Sequence, residues 1–253
     1  MKIRAPHGYD EIVPLARHHK VLLPAGGTPA FCRTLNALAL SFTEFTVAAR
    51  DYPIVFAATD GGAAYAPVVV LGLAERSNLF VQASGEWDPA AYVPAAVRRY
   101  PFCVSKLYVD GRPEGRRIVC VAQAYLDQGG VALFDARGEA TPRWQAIDRL
   151  LSEYEADLDR TAEFCAALAR LGVLAPFRME VKEGGRSATR LAGMHRVEEA
   201  KLAALKPAAH KALVAKGFMG RIYAHLHSLE NFPRLYAREQ AASRAPARGS
   251  GRG

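Results

Sequence analysis

The chain has 253 residues, with 33 lysines and arginines against 25 aspartates and glutamates, giving a formal net charge of +8. Half of the residues are hydrophobic and 23% are charged, which excludes a disordered or collagen-like chain and leaves a globular protein able to bury a sizeable core. The longest apolar runs, such as 66–73, fall far short of the ~20 residues that cross a bilayer. Residues 1–10 also lack the apolar stretch of a secretory signal, so the expected location is cytoplasmic.

In chain order, the first ~140 residues read as short strands separated by turns. Ser41 and Glu44 have capping-box spacing, which predicts a helix over 42–50 that ends at Tyr52-Pro53. Strands are predicted over 54–59 and 66–73, around a turn at Asp60-Gly61-Gly62, and over 78–82, closed by Ser84-Gly85. Pro94 opens a short helix carrying Arg98 and Arg99, which stops at Tyr100-Pro101. Further strands are predicted over 102–109 and 117–123, about a turn at Asp110-Gly111, and over 131–135. Strands this short, joined by tight turns, imply antiparallel pairing.

The second half changes character. Thr141 caps a helix whose first residue is Pro142, and Gly172 stops it. Between them Trp144, Ile147, Leu151, Tyr154, Leu158, Cys165, Leu168 and Leu171 recur at helical spacing. At 1.5 Å per residue this helix is ~45 Å long. One small sheet cannot cover it, so a helical partner or a second copy of the chain is expected along it. Phe177, Met179 and Val181 alternate with charged residues in a strand that returns through Gly184-Gly185 to 188–191. Helices follow over 198–205, 208–216 and from Phe218 towards Glu230, and Pro233 restarts a short final turn.

The expected fold is therefore α+β: a curved antiparallel sheet from the N-terminal half, joined by the later hairpin and packed with one long helix and the C-terminal helices. A single domain is expected over 1–236, β-rich over 1–140 and helix-rich over 141–236. Residues 237–253 contain four arginines against one glutamate, a net +3, with few apolar residues; a disordered tail is expected.

The ordered series Glu44-Phe45, Asp51-Tyr52-Pro53-Ile54-Val55-Phe56, Leu71-Gly72-Leu73, Asn78-Leu79-Phe80-Val81, Gly85-Glu86-Trp87, Tyr92-Val93-Pro94 and Arg98-Arg99-Tyr100-Pro101-Phe102 continues with Leu133-Phe134-Asp135, Tyr154-Glu155, 202–205, His225-Leu226, Ser228-Leu229 and Asn231. This series resembles the SapC family, whose name comes from a bacterial surface-array operon, over nearly everything from His18 to Leu235. The resemblance implies an accessory role in an envelope, nutrient-uptake or peptide-modification system and supplies no catalytic residues.

The densest run of these landmarks yields the first candidate site. Trp87, Tyr92, Arg98, Arg99 and Tyr100 combine aromatic area with two permanent cations, the chemistry of an anion or peptide site. A structural alternative has the aromatic residues packing while the arginines bridge to acids elsewhere. The second candidate is His225 with Ser228, three apart on one helix face, with His227 pointing elsewhere; the alternative is a core histidine bonded to backbone. His18 and His19 are adjacent, on opposite faces if in a strand. Carboxylate pairs such as Asp157 with Asp159 are expected on solvated helix faces. The four cysteines, Cys32, Cys103, Cys120 and Cys165, lie far apart and read as reduced packing residues. No cofactor or metal motif is present in the sequence, and the modest, unclustered charge disfavours nucleic acid. The expected function is recognition of an acidic small molecule, peptide or protein partner. The alternative is an enzyme or enzyme subunit acting on a peptide or small molecule.

Overall fold

The computed structural model describes residues 2–3, 5–6, 8–24, 28–109, 112–183 and 186–244. The elements in chain order are β1 (Lys2–Ile3), β2 (Ile12–Pro14), β3 (Lys20–Val21), β4 (Ala37–Ala39), α1 (Phe45–Ala48), β5 (Ile54–Thr59), β6 (Ala64–Val70) and α2 (Ala95–Arg98). They continue with β7 (Phe102–Val109), β8 (Arg112–Ala122), β9 (Val131–Ala132), α3 (Pro142–Arg170), β10 (Leu174–Glu183), β11 (Arg186–Val197), α4 (Glu199–Ala203), α5 (Pro207–Ala215), α6 (Phe218–Ser228) and α7 (Asn231–Arg244). The fold is α+β with antiparallel sheets. The chain forms two compact units that interleave in sequence: Met1–Cys32 with Val93–Asp159, and Arg33–Tyr92 with Arg160–Gly253.

The first unit is built on a four-stranded sheet in the order β1-β7-β8-β2, beside the small pair β3-β9. Alternation along β7 and β8 sends Phe102 and Val121 to one face, where they bury with Val21, Leu133, Trp144 and Leu151. Trp144 and Leu151 are seven apart on α3, so the apolar stripe read from the sequence forms this core. The other face buries Cys103 and Cys120, which lie directly opposite each other, against Tyr9 and Ala122. Thr141 Oγ1 accepts the Trp144 N–H at 3.3 Å, capping α3 as its sequence predicts.

The second unit is built on a five-stranded sheet in the order β10-β11-β5-β6-β4. Its core is aromatic: Phe42, Phe45, Phe56, Phe164 and Phe218 are all essentially inaccessible, and their rings meet mostly edge to face. Phe164, Cys165 and Leu168 come from the last turns of α3. Residues of α3 thus contribute to the buried core of each unit. Gly172, with φ of 66°, ends the helix as the sequence predicts.

Several boundaries differ from expectation. One sheet was expected from the N-terminal half, whereas β7 and β8 pair in one sheet and β5 and β6 in another; the hairpin β10-β11 joins the latter through Met194 and His195 on β5. Residues 78–82 form no strand, only an isolated bridge between Val81 and Trp87. The predicted helix over 42–50 is a 3-10 turn at Phe42–Glu44 followed by the single turn of α1. The short turn expected at Pro233 is instead the 14-residue α7, which runs through residues expected to be a disordered tail as far as Arg244. Phe232 and Leu235 are buried there, and Arg238 pairs with Asp88 at 2.8 Å, so packing overrides composition. The predicted turns at Asp110-Gly111 and Gly184-Gly185, and residues 245–253, lie outside the described residues.

The Leu71-Gly72-Leu73 landmark has a steric cause. A Cβ on Gly72 would lie 2.0 Å from the Ser77 carbonyl oxygen, which is backbone and cannot swing aside. Gly220, inside α6, has nothing within 4 Å of its would-be Cβ. Urea unfolding is expected to show Gly72→Ala destabilised by roughly 1–3 kcal/mol. Gly220→Ala is expected to be neutral or stabilised by up to about 1 kcal/mol through lower unfolded-chain entropy.

Candidate functional site

The sequence candidates fall into both units, and each group is described within its own. In the first unit, α2 is one turn long and closes with the Arg99 N–H bonded to the Ala95 carbonyl. Arg99 thus stands between α2 and β7. Arg98 is exposed, and its Nε donates to the Val93 carbonyl at 3.0 Å, within its own turn. Tyr100 joins an aromatic cluster, 5.0 Å from Tyr9 and 5.1 Å from Tyr125 between ring centroids. Of these three candidates, Arg99 lines a cleft formed by described residues.

That cleft has a volume of about 300 Å³. Its charged lining residues are Arg99, Arg117, Glu155 and Asp159, and its remaining wall is Pro6, Val104, Ser105 and Leu158. Glu155 and Asp159 are four apart on α3 and so share a side of the helix. Arg117 spans both, with Nη1 3.1 Å from Glu155 Oε2 and Nη2 2.9 Å from Asp159 Oδ1. The hydrogen bond to Asp159 holds the Arg117 guanidinium above its ordinary pKa.

Arg99 is bound differently. Its side chain is 11% exposed, with the guanidinium carbon 4.7 Å from the Tyr154 ring centroid and 6.0 Å from that of Tyr9. Its approach to Glu155 is 3.9 Å, an ion pair too long for a hydrogen bond. The Arg99 Nε is buried and has no hydrogen-bond partner among the described residues. Sequence reasoning placed the carboxylates of this stretch on a solvated helix face and missed the cleft. The available signal was the pairing of Tyr154 with Leu158 and of Glu155 with Asp159, two four-residue steps on adjacent rows of one helix.

In the second unit the candidates are tied into the fold. The Trp87 indole donates to the Tyr52 hydroxyl at 2.9 Å, and that hydroxyl donates to the Tyr92 carbonyl. The Tyr92 hydroxyl donates to Glu44 Oε1 and its backbone N–H to Asp51 Oδ2, both at 2.9 Å. The other Glu44 oxygen, Oε2, accepts the Ser41 N–H and hydroxyl at 3.0 and 2.7 Å, the predicted reach-back of Glu44 to Ser41.

His225 and Ser228 share one face of α6 and meet the start of β5. His225 Nε2 accepts the Val197 N–H at 3.0 Å, so Nδ1 carries the proton and donates it to the Ile54 carbonyl at 2.8 Å. Ser228 Oγ accepts the Ile54 N–H at 2.9 Å and donates to the His225 carbonyl at 2.6 Å. Asn231, three residues on, donates from Nδ2 to the carbonyls of Ala49 and Tyr52 at 2.8 and 3.2 Å. Both ring nitrogens of His225 are thereby used by backbone, the structural alternative weighed for it.

His18 and His19 lie in a turn rather than a strand, with ring centroids 4.6 Å apart. Among the described residues, no group of three or more His, Cys, Asp or Glu side chains is placed to hold a metal ion. The four cysteines are buried thiols rather than disulfides, and burial pushes the Cys103 thiol up to about 12 and Cys120 to about 11. At neutral pH these thiols are protonated packing groups.

Burial lowers the His225 pKa from 6.5 to about 4. Between those values the unfolded chain binds a proton that the folded chain does not, so stability is full above pH 6.5 and falls as the pH drops towards 4. The contribution is on the order of 3 kcal/mol. His225→Gln, which retains an amide donor and acceptor but does not titrate, is expected to lose visibly less stability than wild type between pH 7 and pH 4.5, measured by urea unfolding at both.

The SapC family profile matches residues 15–235. Neither a curated protein nor a solved structure matches the chain. The matched span contains the Tyr52–Trp87–Tyr92 network, the His225–Ser228–Asn231 ladder and the Arg99 turn, and because it covers most of the 253 residues, the chain belongs to the SapC family.

Proposed function

We propose that this SapC-family chain is a binding protein that takes an acidic group of a small molecule or peptide on Arg99, as an accessory component of an envelope, uptake or peptide-modification system. The observation that carries this reading is the Arg99 fork. It is held by two tyrosine rings, reaches no carboxylate at hydrogen-bond distance, and keeps a buried Nε without an acceptor among the described residues, on the wall of a cleft. A guanidinium placed on a cleft wall without a described carboxylate at hydrogen-bond distance can meet a ligand carboxylate or phosphate with its exposed edge in directional, charge-assisted bonds. Burial of all four cysteines as thiols rather than disulfides suits the reducing cytoplasm, where we place this binding. Among the described residues no helix is long and apolar enough to cross a membrane.

The test uses Arg99→Gln and Arg98→Ala in the full chain, titrated calorimetrically with carboxylate and phosphate probes: 4-methylpentanoate, L-leucine, citrate and inorganic phosphate. Wild type and Arg98→Ala are expected to bind at least one probe. Arg99→Gln is expected to lose that binding at least tenfold while melting within about 3 °C of wild type. Retained binding in Arg99→Gln, or no binding of any probe by wild type, overturns the reading.

A further inference from the structure

The helices of the second unit carry a one-sided charge pattern. Lys201, Lys206, Lys211, Lys216 and Arg221 recur at steps of five, and residues 200–229 contain no aspartate or glutamate. A step of five turns a helix by about 140°, so these cations do not converge on one point but spread over the surface from α4 to α6. Lys201 pairs with Glu198 at 3.0 Å and Lys216 with Glu163, and Arg221 lies over the Phe42 ring. Lys206 and Lys211 are exposed and form no ion pair among the described residues. The helix between them, α5, is apolar outside as well as inside. Leu213 is buried, while Ala208, Ala212, Ala215 and Val214 share the exposed side with Lys211, and Val214 is 62% exposed. A helix apolar all round ordinarily lies in an interior. On α6, which packs against α5, Tyr223 is 50% exposed. Leu22 and Val131 are the other exposed large apolar side chains among the described residues, so half of this set shares the α5–α6 hairpin with the cations. A field of lysines without carboxylates complements a negative surface. Lysine is a point charge on a flexible stem rather than a fixed fork, which suits lipid headgroups that rearrange laterally better than one fixed acidic cluster on a protein. Apolar side chains among the cations add burial at the boundary of headgroups and acyl chains, where tyrosine is favoured. With nine residues α5 lies on a bilayer and does not span it.

We infer that the α5–α6 hairpin docks on an anionic bilayer surface, with Lys206 and Lys211 among the lipid headgroups and Val214 and Tyr223 at the edge of the acyl region. This inference is independent of the Arg99 cleft, whose lining residues belong to the first unit.

The experiment is co-sedimentation of the full chain with vesicles of phosphatidylcholine alone and of equimolar phosphatidylcholine and phosphatidylglycerol. Wild type is expected to bind the anionic vesicles at least tenfold more tightly than the neutral ones, and less tightly as salt is raised. Lys206→Glu combined with Lys211→Glu is expected to weaken that binding at least tenfold, and Val214→Ser combined with Tyr223→Ser about threefold or more. Arg143→Glu combined with Arg149→Glu, exposed positions on α3 that change the net charge by the same amount, is expected to bind within about threefold of wild type. Equal binding of wild type to both vesicles, or none to either, overturns the inference. So does an equal loss in the α3 pair, which would assign the binding to overall charge, or unchanged binding in either hairpin pair. If wild type binds poly-L-glutamate in solution but no vesicles, the occupant is an acidic polypeptide and the bilayer inference is overturned.

Discussion

The second unit depends on how its backbone is held between residues 49 and 54. There the chain leaves a single helical turn, passes Pro53, and enters β5, which lies inside the five-stranded sheet. A helix end exposes carbonyls without intrahelical partners, and Ala49 and Tyr52 present theirs towards protein rather than water. Asn231 donates to both, while Ser228 and His225 take the N–H and C=O of Ile54. Three side chains at steps of three, crossing from α6 into α7, thus satisfy four backbone groups in one stretch. In a low-dielectric interior such a network rigidifies when complete and is costly when broken. It also explains why a histidine can be fully buried: it is neutral, and its tautomer is fixed by what each nitrogen meets.

The order of family landmarks becomes intelligible as pairs of segments that touch. Asp51-Tyr52-Pro53-Ile54 belongs with His225, Ser228 and Asn231. Glu44 and Tyr52 belong with Trp87 and Tyr92. Gly72 belongs with Ser77, whose carbonyl occupies the place of its Cβ. These residues are tied up in folding. The Arg99 segment differs, because Tyr9, Tyr154 and Glu155 surround its guanidinium without filling its hydrogen-bonding capacity.

Strands 54–59 and 102–109 and the long helix were legible because their signals are local: alternation of apolar residues, a glycine turn, a threonine cap and a seven-residue apolar step. Which strands share a sheet was not, since β5 finds β11 some 140 residues away (Phe56 opposite His195), and no local pattern encodes that choice. The composition of residues 237–244 argued for disorder, but Phe232, Leu235 and the Arg238–Asp88 pair anchor the helix that carries them. In the cleft, residue type alone singled out Arg98 and Arg99 together. What separates them is that one bonds back to its own turn and the other meets α3, a distinction made only by the fold. Asp159 was read as a solvated helix carboxylate, and at 70% exposure it nearly is one; Arg117, from a distant strand, gives it a second role.

The interleaving of the two units sets an order on synthesis. Every described residue of the first unit has been synthesised once Asp159 is made, whereas the second unit's opening segment, through Tyr92, must wait for β11, α6 and α7. Until then β5 and β6 are a hairpin whose entry at Ile54 lacks the side chains that complete its hydrogen bonding, a state of the kind that chaperones recognise. A nascent chain halted after α3 would contain the whole sequence of the first unit but not the strand and helices that the second unit needs, so the second unit's opening segment waits through the translation of the last third.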